Sequence, residues 1–137
     1  MAYVRAYVAG FLATLVFHQL ALGVLYLAGI VPVAPYATAP TPPFGVPSVI
    51  SLAFWGGVWG LPLWPLIRRR RGPRYWLYAG LFGAVAPTAV ALLVVFPLKG
   101  MAVSPGMIPV GAVLNATWGL GTAALALGLR RALPGTW

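Results

Sequence analysis

Several residues with hydrogen-bonding side chains interrupt the long apolar stretches of this chain. Five of them are predicted to form one polar layer: His18, Gln19, Ser51, Thr88 and Asn115. At 1.5 Å per helical residue, His18, Thr88 and Asn115 fall roughly 17–22 Å from the basic ends of their segments. Polar groups at such a depth in lipid normally face other protein groups. The layer therefore predicts either hydrogen bonds between helices or a small cavity that binds a ligand or passes a solute.

His18 is the only histidine, and it allows three kinds of chemistry. As a neutral imidazole it would donate a hydrogen bond to a carbonyl of a neighbouring helix. As an axial ligand it would hold haem or bacteriochlorophyll, with the small residues Thr14 and Gly10 one and two turns before it on the same helix face. A single histidine supplies a single ligand, so a bis-histidine haem would need a second subunit. As a proton relay it lacks an acidic group that would pass the proton on.

The residue types exclude most catalytic and metal sites. The chain contains no cysteine, no aspartate and no glutamate. Thiolate nucleophiles, paired carboxylates and a self-contained zinc, calcium or di-iron site are therefore excluded. We predict a protein that is not an enzyme and has no metal site.

Composition predicts which elements position the polar layer. Of the 137 residues, 61% are hydrophobic and 7% are charged, whereas a soluble domain has about a quarter of its residues charged. So many apolar residues do not fit into one small core, which predicts lipid as the solvent. The net charge of +9 would suggest nucleic acid in a soluble protein. Aromatic and basic residues do not interleave on a polar segment here, so no nucleic-acid partner is expected.

Four apolar runs are long enough to cross a bilayer as helices, for which about 20 residues are needed. They are predicted at about 7–30, 46–67, 75–97 and 108–129. Because the runs are continuously apolar, they do not have the alternating pattern of a β-barrel. The first run is too long for a cleavable signal peptide and is interpreted as a retained helix. The predicted fold class is all-α: a polytopic membrane protein with one domain over residues 1–137 and four transmembrane helices in a bundle.

The basic residues fall on one side of the membrane if the chain crosses it four times. That side carries Arg5, Arg68–Arg71, Arg74, Arg130 and Arg131, and only Lys99 lies on the other. Because cytoplasmic loops are enriched in arginine and lysine, both termini are predicted in the cytoplasm. The arginine run is also expected to attract anionic lipid headgroups. The residues predicted to do so are Arg68, Arg69, Arg70, Arg71 and Arg74.

Small residues predict where helices approach each other closely. Gly56 and Gly60 form a G-x-x-x-G pair, and Ala79 and Gly83 begin a small face on the third helix. Such faces allow helix backbones to come into contact. These four residues are the predicted helix-packing positions.

The two halves of the chain are weakly similar to each other. A shift of about seventy residues places Gly10 over Gly80, and the Trp59-Gly60 pair corresponds to Trp118-Gly119. This predicts two helical hairpins of the same orientation. The loop of the first hairpin, residues 31–45, is rich in proline and is expected to form a stiff, extended strap.

Three stretches resemble segments of small bacterial inner-membrane proteins. They are Gly10–Gln19, reading GFLATLVFHQ, Pro43–Pro47, reading PFGVP, and Ser51–Gly60, reading SLAFWGGVWG. The resemblance covers mainly the first half of the chain and implies a location in the bacterial inner (plasma) membrane. No activity is assigned to that group, so the resemblance implies no mechanism.

Three functions fit these features. The first is an accessory or scaffold subunit that acts by helix packing, with other membrane protein subunits or a second copy of the chain as partners. The second is a small transporter or channel whose substrate site is the polar layer. Since acidic side chains are lacking, its solute would be an anion or a neutral molecule. The third is a haem- or pigment-binding membrane subunit that uses His18.

Overall fold

The computed structural model describes residues 1–133 and 135 and is mostly helical. The end of the predicted 1–137 domain therefore lies outside the described residues. Four helices are long and apolar enough to cross a membrane. They are α1 (Ala2–Leu27), α2 (Ser48–Ile67), α3 (Pro73–Leu98) and α4 (Met107–Ala132). The last three agree closely with the predicted ranges, whereas α1 begins at Ala2 rather than near Tyr7. Arginine is a good helix former, so Arg5 does not delay the start of the helix.

The same capping motif ends α1 and α3. Gly29 and Gly100 follow these helices with φ of 72° and 67°, a left-handed conformation that glycine adopts without steric cost. The next amide in each case, of Ile30 or Met101, donates across the last turn to the carbonyl of Leu25 or Phe96, at 2.9 Å. This is a Schellman motif, which satisfies carbonyls that the helix end would otherwise leave unpaired.

The helices pack as antiparallel neighbours. α1 packs along α2 and α4, α3 packs along α4, and the contact between α2 and α3 is smaller. Because neighbouring helices run in opposite directions, the start of α1, the α2–α3 turn and the end of α4 lie together. We call this the basic end, since it carries Arg5, Arg68–Arg71, Arg74, Arg130 and Arg131. The two longer loops lie at the opposite end.

On α1, small side chains face the inside of this assembly and large apolar ones face outward, whereas the core between the helices also contains Leu63, Ile67 and Trp118. The buried face of α1 includes Ala6, Ala9, Gly10, Ala13 and Thr14, whereas Val4, Val8, Leu12, Val16, Leu20 and Val24 form an exposed stripe. Exposed apolar stripes of this length are rare on soluble monomers. Close backbone approach over small residues, with large apolar residues facing outward, is the arrangement of helices in lipid.

The two hairpins repeat one backbone contact. In the first, Gly60 lies against the carbonyl of Ala6, and a Cβ built on Gly56 would be 3.0 Å from the carbonyl oxygen of Gly10. In the second, Gly119 lies against the carbonyl of Ala79. Gly83 lies against the backbone of Asn115, and a Cβ there would be 3.2 Å from Cα of Gly119.

The backbone contacts show that Gly83 in the second hairpin occupies the position of Gly10 in the first. The sequence comparison instead pairs Gly10 with Gly80, which lies one helical turn before Gly83. The contacts also equate Gly60 with Gly119, as the Trp-Gly pairs suggested. Each odd-numbered helix also contains a π-helical turn, at Thr14–His18 in α1 and at Ala91–Val95 in α3.

The loop between α1 and α2 folds back along α1. We call residues 31–47 the strap; it contains a two-residue antiparallel ladder of β1 (Pro40–Thr41) and β2 (Val46–Pro47). α2 has 20 residues and α1 has 26, so the strap occupies the length that α2 leaves open. Carbonyls of Ala37 and Ala39 accept hydrogen bonds at 2.9 Å from the first amides of α2, those of Val49 and Ser48. These bonds satisfy donors that a helix start otherwise leaves unpaired.

Candidate functional site

The polar layer is partly joined by hydrogen bonds within the protein. The side-chain amide of Asn115 on α4 donates to the hydroxyl of Thr88 on α3 at 2.9 Å. Thr88 is buried and Asn115 is half-buried, on the two helices that share the most extensive contact. Ser51 on α2 is half-buried. The structure thus connects two of the five predicted residues directly, and the assignment of the five as a ligand site remains a prediction.

The π-helical turn of α1 changes where backbone carbonyls point. The amide of Gln19 donates to the carbonyls of Thr14 and Val16 rather than to that of Leu15, its α-helical acceptor. The carbonyl of Leu15 accepts a hydrogen bond from the hydroxyl of Tyr36 in the strap, at 2.7 Å. A π-turn releases carbonyls from the regular helix ladder, and here one of them anchors the strap.

A second bond joins the strap to the polar layer. The backbone amide of Tyr36 donates to Oε1 of buried Gln19 at 2.7 Å. Gln19 lies about 12 Å before the end of α1 at 1.5 Å per residue, so the strap reaches well down the side of that helix. Tyr36 has a φ of 56°, an unfavourable conformation for a residue with a side chain. The two hydrogen bonds hold it there. The sequence did not predict this contact, because the prolines indicate only that the loop is stiff and not where it packs.

Trp118 contributes a polar contact that residue type alone did not reveal. Its ring nitrogen donates to the carbonyl of Gly10 at 3.0 Å, joining α4 to α1 in the buried core. The hydroxyl of Thr14 donates to the same carbonyl at 3.1 Å. Buried indole N–H groups normally find such partners. This bond lies nearer the basic end than the Asn115–Thr88 pair and fixes the depth of α4 relative to α1.

His18 differs from its polar neighbours. Its side chain is 8% exposed, and Nδ1 is buried without a hydrogen-bond partner among the described residues. A buried polar atom left unpaired costs roughly 1–3 kcal/mol. Such an atom is a reason to consider a small bound molecule. The haem- or pigment-binding alternative through His18 stays a prediction.

Two neighbouring clefts open at the basic end. The larger, of about 470 Å³, is lined by Arg70, Arg71, Arg130, Arg131, Tyr75 and Trp76, among others. The smaller, of about 180 Å³, is lined by Trp64, Arg68, Arg69 and Arg130. Arg130 lines both. Of the arginines predicted to meet lipid, Arg68–Arg71 line one cleft or the other, whereas Arg74 is not among the lining residues.

Aromatic rings hold these guanidinium groups in place. The guanidinium carbon of Arg70 lies 4.3 Å from the ring centroid of Tyr78, and that of Arg130 lies 5.8 Å from the Trp64 ring. Both separations allow cation–π attraction. The hydroxyl of buried Tyr75 donates to the carbonyl of Ala123 at 2.8 Å, which ties the start of α3 to α4.

The sequence indicated the Arg68–Arg71 run but not that Arg130 and Arg131 complete the clefts. That juxtaposition depends on how α4 packs against the α2–α3 turn.

Comparisons of the chain with protein-family models, with curated proteins and with solved structures found no significant match.

Proposed function

We propose that this chain is a non-enzymatic integral membrane protein of the bacterial inner membrane that serves as an accessory or scaffold subunit. It forms a bundle of four transmembrane helices with both termini, and therefore the basic end, in the cytoplasm. The observation that carries the proposal is the Asn115–Thr88 hydrogen bond. Two residues that would otherwise line a solute site satisfy each other, so the layer acts to hold helices together.

A partner would dock on the outer surface, because the predicted packing residues are used within the chain. Gly56, Gly60, Ala79 and Gly83 all face the neighbouring helix of their own hairpin. The outer face of the first hairpin instead carries an aromatic cluster, defined as Tyr7, Phe11, Phe54 and Trp55. Trp55 is 56% exposed. Aromatic residues are enriched at protein interfaces, where large rings fill pockets of the partner. The aliphatic stripe of α1 offers no such rings.

Photo-crosslinking in native membranes tests the scaffold role. A photoreactive amino acid at position 55 is expected to capture a second subunit, or a second copy of the chain, in a stoichiometric complex. The matched control is position 93 on α3, where Leu93 is 77% exposed and belongs to no aromatic cluster. Equal capture at both positions, or a monodisperse monomer after purification in mild detergent, would contradict the proposal.

A second candidate function is a small transporter, and the unpartnered Nδ1 of His18 favours it. An anion or neutral solute that pairs with this atom would remove the cost of leaving it unsatisfied. Reconstituted protein would then give a solute flux in liposomes that His18→Ala and Asn115→Ala both reduce. Flux at the level of empty liposomes, or flux that neither substitution changes, would exclude this candidate.

A further inference from the structure

We infer that the two arginine-lined clefts at the basic end form one binding site for a lipid headgroup that carries two phosphates. The ligand class is a diphosphatidylglycerol such as cardiolipin, in which one glycerol joins the two phosphodiesters. This goes beyond the scaffold role. It rests on one part of the proposed topology, that the basic end lies at a membrane surface.

Charge is the first step of the argument. Six arginines, Arg68 to Arg71 with Arg130 and Arg131, line the two clefts. The chain contains no aspartate or glutamate, so no acidic side chain of this protein is available to neutralise them. Like charges held this close repel each other, and an anion from outside the chain relieves that repulsion.

Geometry selects phosphate as the anion. Guanidinium groups bind phosphate oxygens with two parallel N–H donors, and arginine is the usual residue where that bidentate recognition is needed. The cation–π contacts of Arg70 and Arg130 already restrict these two side chains. Less conformational entropy is therefore lost when a ligand binds. The larger cleft, of about 470 Å³, lies within the range of about 300–1,000 Å³ that is usual for small-molecule sites.

The shared residue selects a ligand with two phosphates. Arg130 lies between the clefts and lines both, so one phosphate in each cleft would be bridged by the same guanidinium. Basic pockets between helices on the cytoplasmic side of a membrane are suited to such headgroups. Trp76 and Leu127 line the larger cleft and offer apolar surface to the glycerol and the start of the acyl chains.

Native mass spectrometry of the delipidated protein in detergent tests the site. Titration with cardiolipin is expected to give retention of one lipid per chain. Binding should be at least about tenfold tighter than for phosphatidylglycerol at equal phosphate concentration, because one molecule supplies both anions. Arg130→Gln is expected to weaken cardiolipin binding by about tenfold or more, since it removes a donor to both phosphates. Arg130→Lys keeps the positive charge but loses the planar, two-donor geometry of the guanidinium group. Its affinity for cardiolipin should therefore lie between that of the unsubstituted protein and that of Arg130→Gln.

Arg74→Gln is the matched control. It removes the same charge from the same end, but Arg74 lines neither cleft. Its binding should stay within about twofold of the unsubstituted protein. Thermal unfolding of each variant without lipid establishes that it is folded. If Arg130→Gln has lost its fold, Arg71→Gln, which changes a residue of the larger cleft, replaces it.

Three outcomes would overturn the inference. Equal weakening by Arg74→Gln and Arg130→Gln would mean general attraction to a charged surface. Equal affinity for cardiolipin and phosphatidylglycerol would show that the site does not recognise two linked phosphates. Displacement of cardiolipin by inorganic pyrophosphate at similar concentration would show that the ligand is a soluble anion and not a lipid. Detergent exposes both ends of the protein, so the result does not depend on orientation. Failure here with intact crosslinking at position 55 would leave the scaffold role standing.

Discussion

Contact between helix backbones makes individual glycines decisive for this protein. A Cβ added at Gly83 would be 3.0 Å from the carbonyl carbon of Asn115 and 3.2 Å from Cα of Gly119. Backbone atoms do not move aside as a flexible side chain does, so the helices themselves would have to separate. Gly128 lies on α4, the helix that packs against Gly83, but no atom lies within 4 Å of a Cβ built on Gly128.

Gly83→Ala is therefore expected to lower the free energy of unfolding by about 1–3 kcal/mol, even though alanine favours the helix. Gly128→Ala should raise it by up to about 1 kcal/mol, because only helix propensity changes. Unfolding in detergent, followed by the loss of helical circular dichroism, measures both. A loss of similar size at the two positions would show that the α3–α4 contact is not as close as described.

The Asn115–Thr88 hydrogen bond is expected to contribute little energy while fixing how α3 and α4 align. A double-mutant cycle with Asn115→Ala and Thr88→Val should give a coupling free energy of about 0.6 kcal/mol, and at most about 2 kcal/mol. Thr117→Val is the control partner, because the Thr117 hydroxyl bonds to Val113 of its own helix at 2.8 Å. Coupling of Asn115 to Thr117 as large as that to Thr88 would contradict the assigned pair.

The strap is an ordered segment whose position beside α1 the hydropathy of the chain does not predict. Six prolines in residues 31–47 lack an amide donor, which reduces the number of backbone groups that need a partner away from water. Within the strap, the amide of Tyr36 donates to Gln19, and strap carbonyls accept from the amides of Ser48 and Val49 at the start of α2. These bonds fasten the strap to α1 and to the start of α2.

Tyr36→Phe removes the bond to Leu15 and is expected to lower the free energy of unfolding by about 1 kcal/mol. Tyr36→Ala also removes the ring, so the strap should detach and be cleaved faster by an added protease while the four helices stay intact. Phe44→Ala is the control, because Phe44 lies on the same strap and is exposed. Cleavage that Phe44→Ala accelerates as much as Tyr36→Ala would argue against the anchor.

The elements differ in how far the sequence predicts them. The four helices were predicted because about 20 consecutive apolar residues have few other structures available in lipid. The Gly56–Gly60 face was predicted because small-residue spacing is local. The π-turn at Thr14–His18 leaves no mark on hydropathy, and the anchor of Tyr36 depends on it. The larger cleft requires Arg130 and Arg70 to line the same space, and the packing of α4 decides that arrangement because the two residues are far apart in the chain.

At the scale of the whole molecule, charge and apolar surface are separated along the helix axis. Eight arginines lie at the basic end and Lys99 at the other, while the sides of the helices between the two ends expose large apolar residues such as Leu93 and Val24. In the proposed topology this polarity would orient the chain during insertion, because arginine-rich loops are retained in the cytoplasm. The scaffold proposal places the basic end in the cytoplasm, whereas the headgroup site requires only that this end lies at a membrane surface.

The chain contains no cysteine, so single introduced cysteines report orientation without background. In intact cells, a membrane-impermeant maleimide is expected to label Ala102→Cys in the α3–α4 loop. Arg69→Cys and Ala132→Cys, at the basic end, should be labelled only after the membrane is permeabilised. All three positions are exposed on the surface of the protein. Labelling of Ala132 and Arg69 on opposite sides would mean that the described helices do not all cross, because four antiparallel crossings place these two residues on one side.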